Sequence, residues 1–459
     1  MGHPLIRRID VSRVPTNQKG GFRRFGLSSF LSRLFELLLP VIFISASGCV
    51  SHTLNKAEIE QLLLAQQPEL ALEQLESKKV NGRNRAVYLL DKGMLQRMQG
   101  DLAGSNKSLE EAKQLGTQLS AVSFREQSTA MSVNDAMRSY LPPLFERTLI
   151  YCFKAINYLE LQQGDAARVE VLQLDELLKQ NDGFYFPFAR YVSGLVFDFN
   201  NEPDNALIAY RKAYEAYLER LKPVPVLLKQ DLLRLTDYLS LRNEHQKYVK
   251  TFKLATWPRQ VDVRDNGAVV MMVFNGLIPR KHSQEINSQS FNDGQLYRIA
   301  VPYYEKRTAL VRSAQVRVAG SPLNTQVLSE NFAQLDDFAE AALTEDMPKI
   351  IGRAVARVAV KNTAVNKAVD ENPLLGIVLN IATFVSEQAD TRGWYTLPQE
   401  ILISRTILEP SVDQTLELDL HGSGNPGARK NWTNIHSRKG QMQVLSWYWS
   451  ESIVTHRTP

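Results

Sequence analysis

The sequence predicts an α+β protein in which an N-terminal helical repeat array is followed by a mixed α/β C-terminal module. Three observations carry that prediction. Between about Ala57 and Phe252 glycine is sparse and apolar residues recur at helical spacing. Within that stretch, pairs of small residues stand twelve positions apart three times over. After Pro258 the texture turns to β-branched and aromatic runs closed by turn dipeptides. The chain has 459 residues, more than one compact core usually supports, so several domains are expected.

The first segment of interest is the amino terminus. A basic region ends at Arg33, an apolar run extends from Leu37 to Ile44, and small residues lead to Cys49. That order is the order of a secretory signal, and the apolar run is far short of the roughly 20 residues needed to span a bilayer. Ala46, Ser47, Gly48 and Cys49 resemble a bacterial lipobox, although Ala46 stands where leucine is commonest. The resemblance implies that residues 1–48 are removed as a lipoprotein signal peptide, that Cys49 carries the lipid, and that residues 49–56 form an anchor linker. It also favours the outer membrane, because Val50 stands where an aspartate often marks inner-membrane retention. Two or three acyl chains on one cysteine would hold the protein firmly. The alternative is an ordinary signal peptide cut near Gly48, with Cys49 free to pair with Cys152. In its apolar helical stretch Cys152 itself reads as a small buried hydrophobe.

The charge follows the same division. Residues 1–48 contain seven basic and two acidic side chains, which accounts for the whole formal charge of +5. The remainder is balanced at zero, so nucleic-acid binding, which needs an excess of phosphate contacts, is not expected.

Residues 57–255 are read as the repeat domain. The TPR template places small residues where two helices of a hairpin approach closely, and large residues where they plug the gaps. Gly194, Phe197, Ala206, Tyr210 and Ala213 match it well. Tyr151, Ala155, Tyr158, Ala167 and Val171 give a second match, and Leu89, Gly93, Ser105 and Leu109 a third. The turns Gly100-Asp101, Gly164-Asp165 and Asn201-Glu202-Pro203-Asp204 fall between the paired small residues. The repeats are separated by 62 and then 39 residues, so one helical pair is irregular or inserted. Stacked hairpins form a concave surface suited to a peptide or a partner helix, for which Arg168, Tyr191, Arg211 and Tyr214 are candidate contacts.

Residues 256–459 are read as the α+β domain. Strands are expected over Val269–Phe274, with Asn275-Gly276 as a turn, and over Tyr297–Tyr304, Ala309–Val318, Ile401–Ile407, Leu416–Leu420 and Met442–Trp449. Residues 332 to about 388 read as helix, with Ile351, Val355, Val358, Asn362 and Val365 on the apolar side. The basic stripe Arg353, Arg357 and Lys361 reads as a solvated face. Leu374–Val385 is almost wholly apolar but too short to span a membrane, so a core helix is expected.

Chemical motifs are missing. In the loop from His421 to Lys430, Gly422 and Gly427 stand five apart, but Ala428 and Arg429 follow Gly427 where a phosphate-binding loop needs Lys and Ser or Thr. The histidines are scattered without metal-ligand spacing, no serine or cysteine nucleophile has an ordered partner, and Asp336-Asp337 alone does not make an acid/base pair. A non-enzyme is expected, with no catalytic residues, no metal and no cofactor.

Three stretches resemble a family of Gram-negative TPR-containing lipoproteins without a settled activity: LPPLFERTLIYCFKAINYLELQQGDAARVEVLQLDEL, GAVVMMVFNGLIPRK and QADTRGWYTLPQEILISR. They fall within about residues 85–410. The resemblance implies an envelope location and supplies no site residues; Asp390, Arg392 and Trp394 are candidates for a recognition loop or for an Arg–Trp stack that pins it. The expected function is a periplasm-facing, outer-membrane-anchored scaffold for envelope proteins, held by its lipid. A lipid- or glycan-binding carrier is the alternative.

Overall fold

The computed structural model describes residues 50–126, 139–289, 296–320, 327–385, 387–410, 412–422 and 428–456. Cys49 and residues 1–48 lie outside the described residues. Five helical hairpins come first: α1 (Val50–Leu64) with α2 (Pro68–Glu76), α3 (Arg85–Met98) with α4 (Leu102–Glu126), α5 (Leu144–Glu160) with α6 (Gly164–Lys179), α7 (Pro187–Phe199) with α8 (Pro203–Glu219), and α9 (Val226–Tyr238) with α10 (Arg242–Phe252). The stretch read as an anchor linker is thus helical from Val50 onward.

All five hairpins turn in the same way. A three-residue link places its middle residue, Gln66, Gly100, Gln162, Asn201 or Ser240, at a positive φ of 58–86°. The amide of that residue donates to the carbonyl three back, and the next amide to the carbonyl five back, as in Gly100 to Arg97 and Asp101 to Gln96. Each pair satisfies carbonyls that the helix end leaves open. The side-chain logic of the repeat is equally direct. A Cβ added at Gly194 would lie 2.4 Å from the Tyr210 ring, and one at Gly93 would lie 2.8 Å from Leu109. Glycine is therefore what lets α7 touch α8 and α3 touch α4.

After a short helix α11 (Gln260–Asp265), β1 (Gly267–Asn275) enters the middle of a mixed sheet of order β11-β1-β8-β7, formed with β7 (Glu330–Gln334), β8 (Glu400–Leu408) and β11 (Met442–Trp449). β1 runs parallel to β11, with Ala268 opposite Met442, and antiparallel to β8, with Gly267 opposite Leu408. A second sheet has the order β10-β9-β5-β6, from β5 (Val311–Val318), β6 (Val327–Leu328), β9 (Asp413–Gly422) and β10 (Arg429–His436). The expected strand Ala309–Val318 is broken at Leu310: β4 (Lys306–Ala309) pairs instead with β12 (Ser452–His456).

Every residue of β1 is buried, which an apolar run achieves only when both faces are covered. Val269, Met271 and Val273 pack on Val311, Ala314, Val316, Leu416, Leu418 and Leu420 of the second sheet. The alternate residues Val270, Met272 and Phe274 share one core with Phe153, Tyr191, Tyr210 and Leu232 of the helical array. The result is three layers, helices on sheet on sheet. Residues 55–459 form one compact unit, so the change at 255/256 is one of secondary structure and not of core.

The remaining elements make an arm. α12 (Leu335–Glu371) and α13 (Pro373–Val385) form a helical hairpin whose close approach depends on Gly376, where a Cβ would meet Val369 at 2.2 Å. The two-stranded ribbon of β2 (Lys281–Gln289) and β3 (Leu296–Tyr304) packs beside it.

Candidate functional site

The inner face of the array, expected to be open, is covered by the chain's own C-terminal half. The first helix of every hairpin meets it. In α1, Glu60 pairs with Arg280 and Arg307. In α3, Arg97 donates to the Tyr448 hydroxyl at 2.7 Å and to Ser446 Oγ at 3.1 Å. Phe153 of α5 packs on Phe274, and Tyr191 of α7 lies 4.3 Å from Phe332, ring to ring. Glu330 of β7 accepts from the Leu227 amide at 2.8 Å and so caps α9. The physical reason is the strand β1, whose second apolar face needs a cover that the array supplies.

Two buried polar networks fasten these layers. In the first, Arg234 of α9 pairs with Asp198 and Asp231, and Arg405 of β8 pairs with the same two carboxylates. The Tyr191 hydroxyl donates to Asp231 at 3.3 Å and that of Tyr210 to Asp198 at 3.4 Å. Burial pulls the Asp198 carboxyl up, but the guanidinium charges of Arg234 and Arg405 outweigh it and leave it below the usual range. In the second, the buried Arg97 also donates to Asn157 and Glu160 and sits 5.2 Å over the Phe274 ring. Asn157 in turn donates to Ser105 at 3.0 Å and Asn106 at 2.8 Å, extending the network into α4.

A third cluster pins the segment 387–399. Asp91 accepts from the amide of Thr396 at 3.3 Å and from its hydroxyl at 3.0 Å. Glu146 accepts from the Trp394 amide at 3.1 Å and from the Tyr140 hydroxyl at 2.6 Å. Burial pushes the Asp91 carboxyl up to about 7 and brings the Lys56 ammonium down to about 8. Perturbed groups of this kind also occur where a charge is merely packed away. The Trp394 indole is buried edge-on to Phe153. Arg392 pairs with Asp390 and lies over the Tyr140 ring at 5.6 Å, so the loop is pinned by Tyr140 and Asp390 where an Arg–Trp stack was expected.

The other sequence candidates are brought to no common place. Arg168 bonds Glu202 at 2.7 Å and Arg211 bonds Glu244 at 2.7 Å, each tying one hairpin to the next. Tyr191 is fully buried, and Tyr214 packs against Tyr248 and Phe252. Asp336 accepts from Gln399 at 2.9 Å while Asp337 pairs with Lys222. Cys152 is a free thiol in the centre of the core, and burial pushes its pKa up. Part of the His421–Lys430 loop, residues 423–427, lies outside the described residues. Among the described residues no group of three His, Cys, Asp or Glu side chains could hold a metal ion.

Two expectations about the arm are overturned. Arg357 is buried, not solvated, and donates to Glu387 at 2.7 Å, with Lys361 reaching the same carboxylate at 2.9 Å. The reason is that α13 returns along this side of α12 and Glu387 follows its end. The apolar run of α13 is no core helix either: Leu374, Leu375, Ile377 and Ile381 are 46–56% exposed, and Ile351 and Val355 of α12 are exposed with them. A cleft of about 20 Å³ beneath the arm, lined by Tyr297, Arg298, Val358, Lys361, Phe384 and Glu387, has room for one water.

No family model matches the chain, and no curated protein matches it. Solved structures of MamA do. The protein from Desulfovibrio magneticus RS-1, from residue 41 to its end, is 15% identical, with 44% of this chain and 90% of that one covered and a TM-score of 0.30. A crystal structure of MamA is 18% identical over 41% of this chain and 89% of that one, also with a TM-score of 0.30. Likeness at this level assigns neither family nor function.

Proposed function

We propose that the chain is an outer-membrane lipoprotein, anchored through Cys49 and facing the periplasm, that acts as a protein-interaction scaffold in cell-envelope assembly. The observation that carries the scaffold reading is the array of five hairpins, bolted to a sheet by buried ion networks and thereby held as a rigid platform. Because the inner face is filled, partner contacts are assigned to the outer row of second helices. There Leu70, Val169, Leu172, Ile208 and Leu218 stand exposed on α2, α6 and α8. The membrane reading is supported by the basic, apolar and small-residue order that ends at Cys49.

Crosslinking in intact cells, with a photoreactive residue at position 172 or 208, is expected to recover one or a few specific envelope proteins. Recovery of none, from either position, sinks the scaffold reading. Mass measurement of the mature amino terminus, and of its counterpart in a Cys49→Ser variant, tests the anchor separately.

A further inference from the structure

The arm reverses the usual arrangement of a surface helix, which turns apolar residues inward and polar ones outward. From Pro373 to Val385 α13 has no charged side chain. Its two polar residues turn inward: Asn380 bonds the amide and carbonyl of Leu296 at 3.0 and 3.2 Å, and Thr383 Oγ1 donates to the Asn380 carbonyl. Arg357 and Lys361 are likewise drawn inside by Glu387. Leu374, Leu375, Ile377 and Ile381 are left facing outward, with Val369 of α12 beside them. A contiguous apolar face of this kind marks an interaction surface.

We propose that this face of the α12–α13 hairpin dips into the apolar boundary of a phospholipid bilayer, next to the lipid anchor. The inference rests on the lipoprotein reading above. The occupant is indicated first by where the chain enters the described unit. Lys56 Nζ lies 3.5 Å from the carbonyl of Thr391, which is six residues beyond the end of α13. Cys49 precedes Lys56 by only seven residues, a reach of at most about 25 Å at full extension. A lipid on Cys49 therefore holds the root of the arm close to a membrane. Second, the outward side chains of α13, Leu374, Leu375, Ile377 and Ile381, offer no hydrogen-bonding group, and lipid asks for none. No described helix is long and apolar enough to cross a membrane, so the arm lies in the interface.

The test uses residues 50–459, which contain all three hydrophobic cores and lack the leader and the acylation site. Vesicles of phosphatidylethanolamine and phosphatidylglycerol are floated with this protein, with the Ile377→Glu/Ile381→Glu variant, and with an Ile208→Glu control. The unsubstituted protein and the control are expected to float, and the double variant to lose about tenfold or more of its bound fraction. Because both substituted side chains are already half exposed, folding tolerates the change, which circular dichroism checks. Flotation of none, of all three alike, or loss in the control as well overturns the proposal. So does a concentration-dependent dimer that the double variant abolishes without any vesicle binding, since a second copy then covers the face. A protein acylated at Cys49 in cells whose residues 50–459 do not float defeats this inference alone. Flotation without acylation at Cys49 defeats only the anchor.

Discussion

Arg97 shows how much one side chain can hold. It donates to groups on α5 and β11 and stacks on Phe274 of β1, so three elements converge on one buried charge. Arg97→Ala leaves Glu160 without its main partner, and unfolding by denaturant is expected to show a loss of about 3–5 kcal/mol. In sequence, Arg97 reads as an ordinary cation in the last turn of a helix, and nothing local marks it. Arg405 gave a faint signal, a lone charge inside the apolar strand ILISRTIL. Asp91 sets a pH dependence. Its ordinary value near 3.8 is raised to about 7 in the fold, so the folded state holds the proton more tightly, and stability falls as pH rises from about 4 to 7. Lys56 acts in the opposite range: lowered to about 8, it carries a cost that fades as pH rises from 8 toward 10.5. Asp91→Asn keeps an acceptor for Thr396 and removes the charge. Relative to the parent, its melting temperature is expected to be higher at pH 8 and little changed at pH 4; an equal difference at both pH values contradicts the assignment.

At the scale of elements, the hairpins were the most legible part of the sequence. The small residues twelve apart fall at helix contacts, and Gly194 and Gly93 sit against Tyr210 and Leu109. Gly194→Ala pushes a methyl group into a packed ring, and a loss of about 1–3 kcal/mol is expected from equilibrium unfolding. Gly82→Ala, where nothing lies within 4 Å, serves as the control with little change. Two hairpins escaped the reading, α1 with α2 and α9 with α10. Their left-handed turn residues are Gln66 and Ser240, which advertise no turn as Gly100 does. The polar strands β2 and β10 escaped for a related reason. Exposed ribbon and edge strands need no apolar alternation, so KHSQEINSQ and RKNWTNIH carry no period to detect. In α13 the apolar residues occur all round the helix, and periodicity then gives no face to bury.

At the scale of the whole molecule, the shared core predicts one unfolding event. All five tryptophans, Trp257, Trp394, Trp432, Trp447 and Trp449, lie after residue 256, while most of the helix lies in the array. Tryptophan fluorescence and far-ultraviolet circular dichroism are expected to give coincident denaturation curves. Two separated transitions would show instead that the halves fold as independent domains. The sequence by itself determined the helical array, its close contacts, the main apolar strands and the change of class near residue 256. These follow from spacing and turn chemistry, which are local. Only the tertiary structure decided that the array's inner face is filled, that Arg97, Arg234 and Arg405 are buried, and that α13 turns its apolar side outward. Such outcomes depend on which distant surfaces meet, and a pattern of apolar residues says that a face must be covered without saying by what.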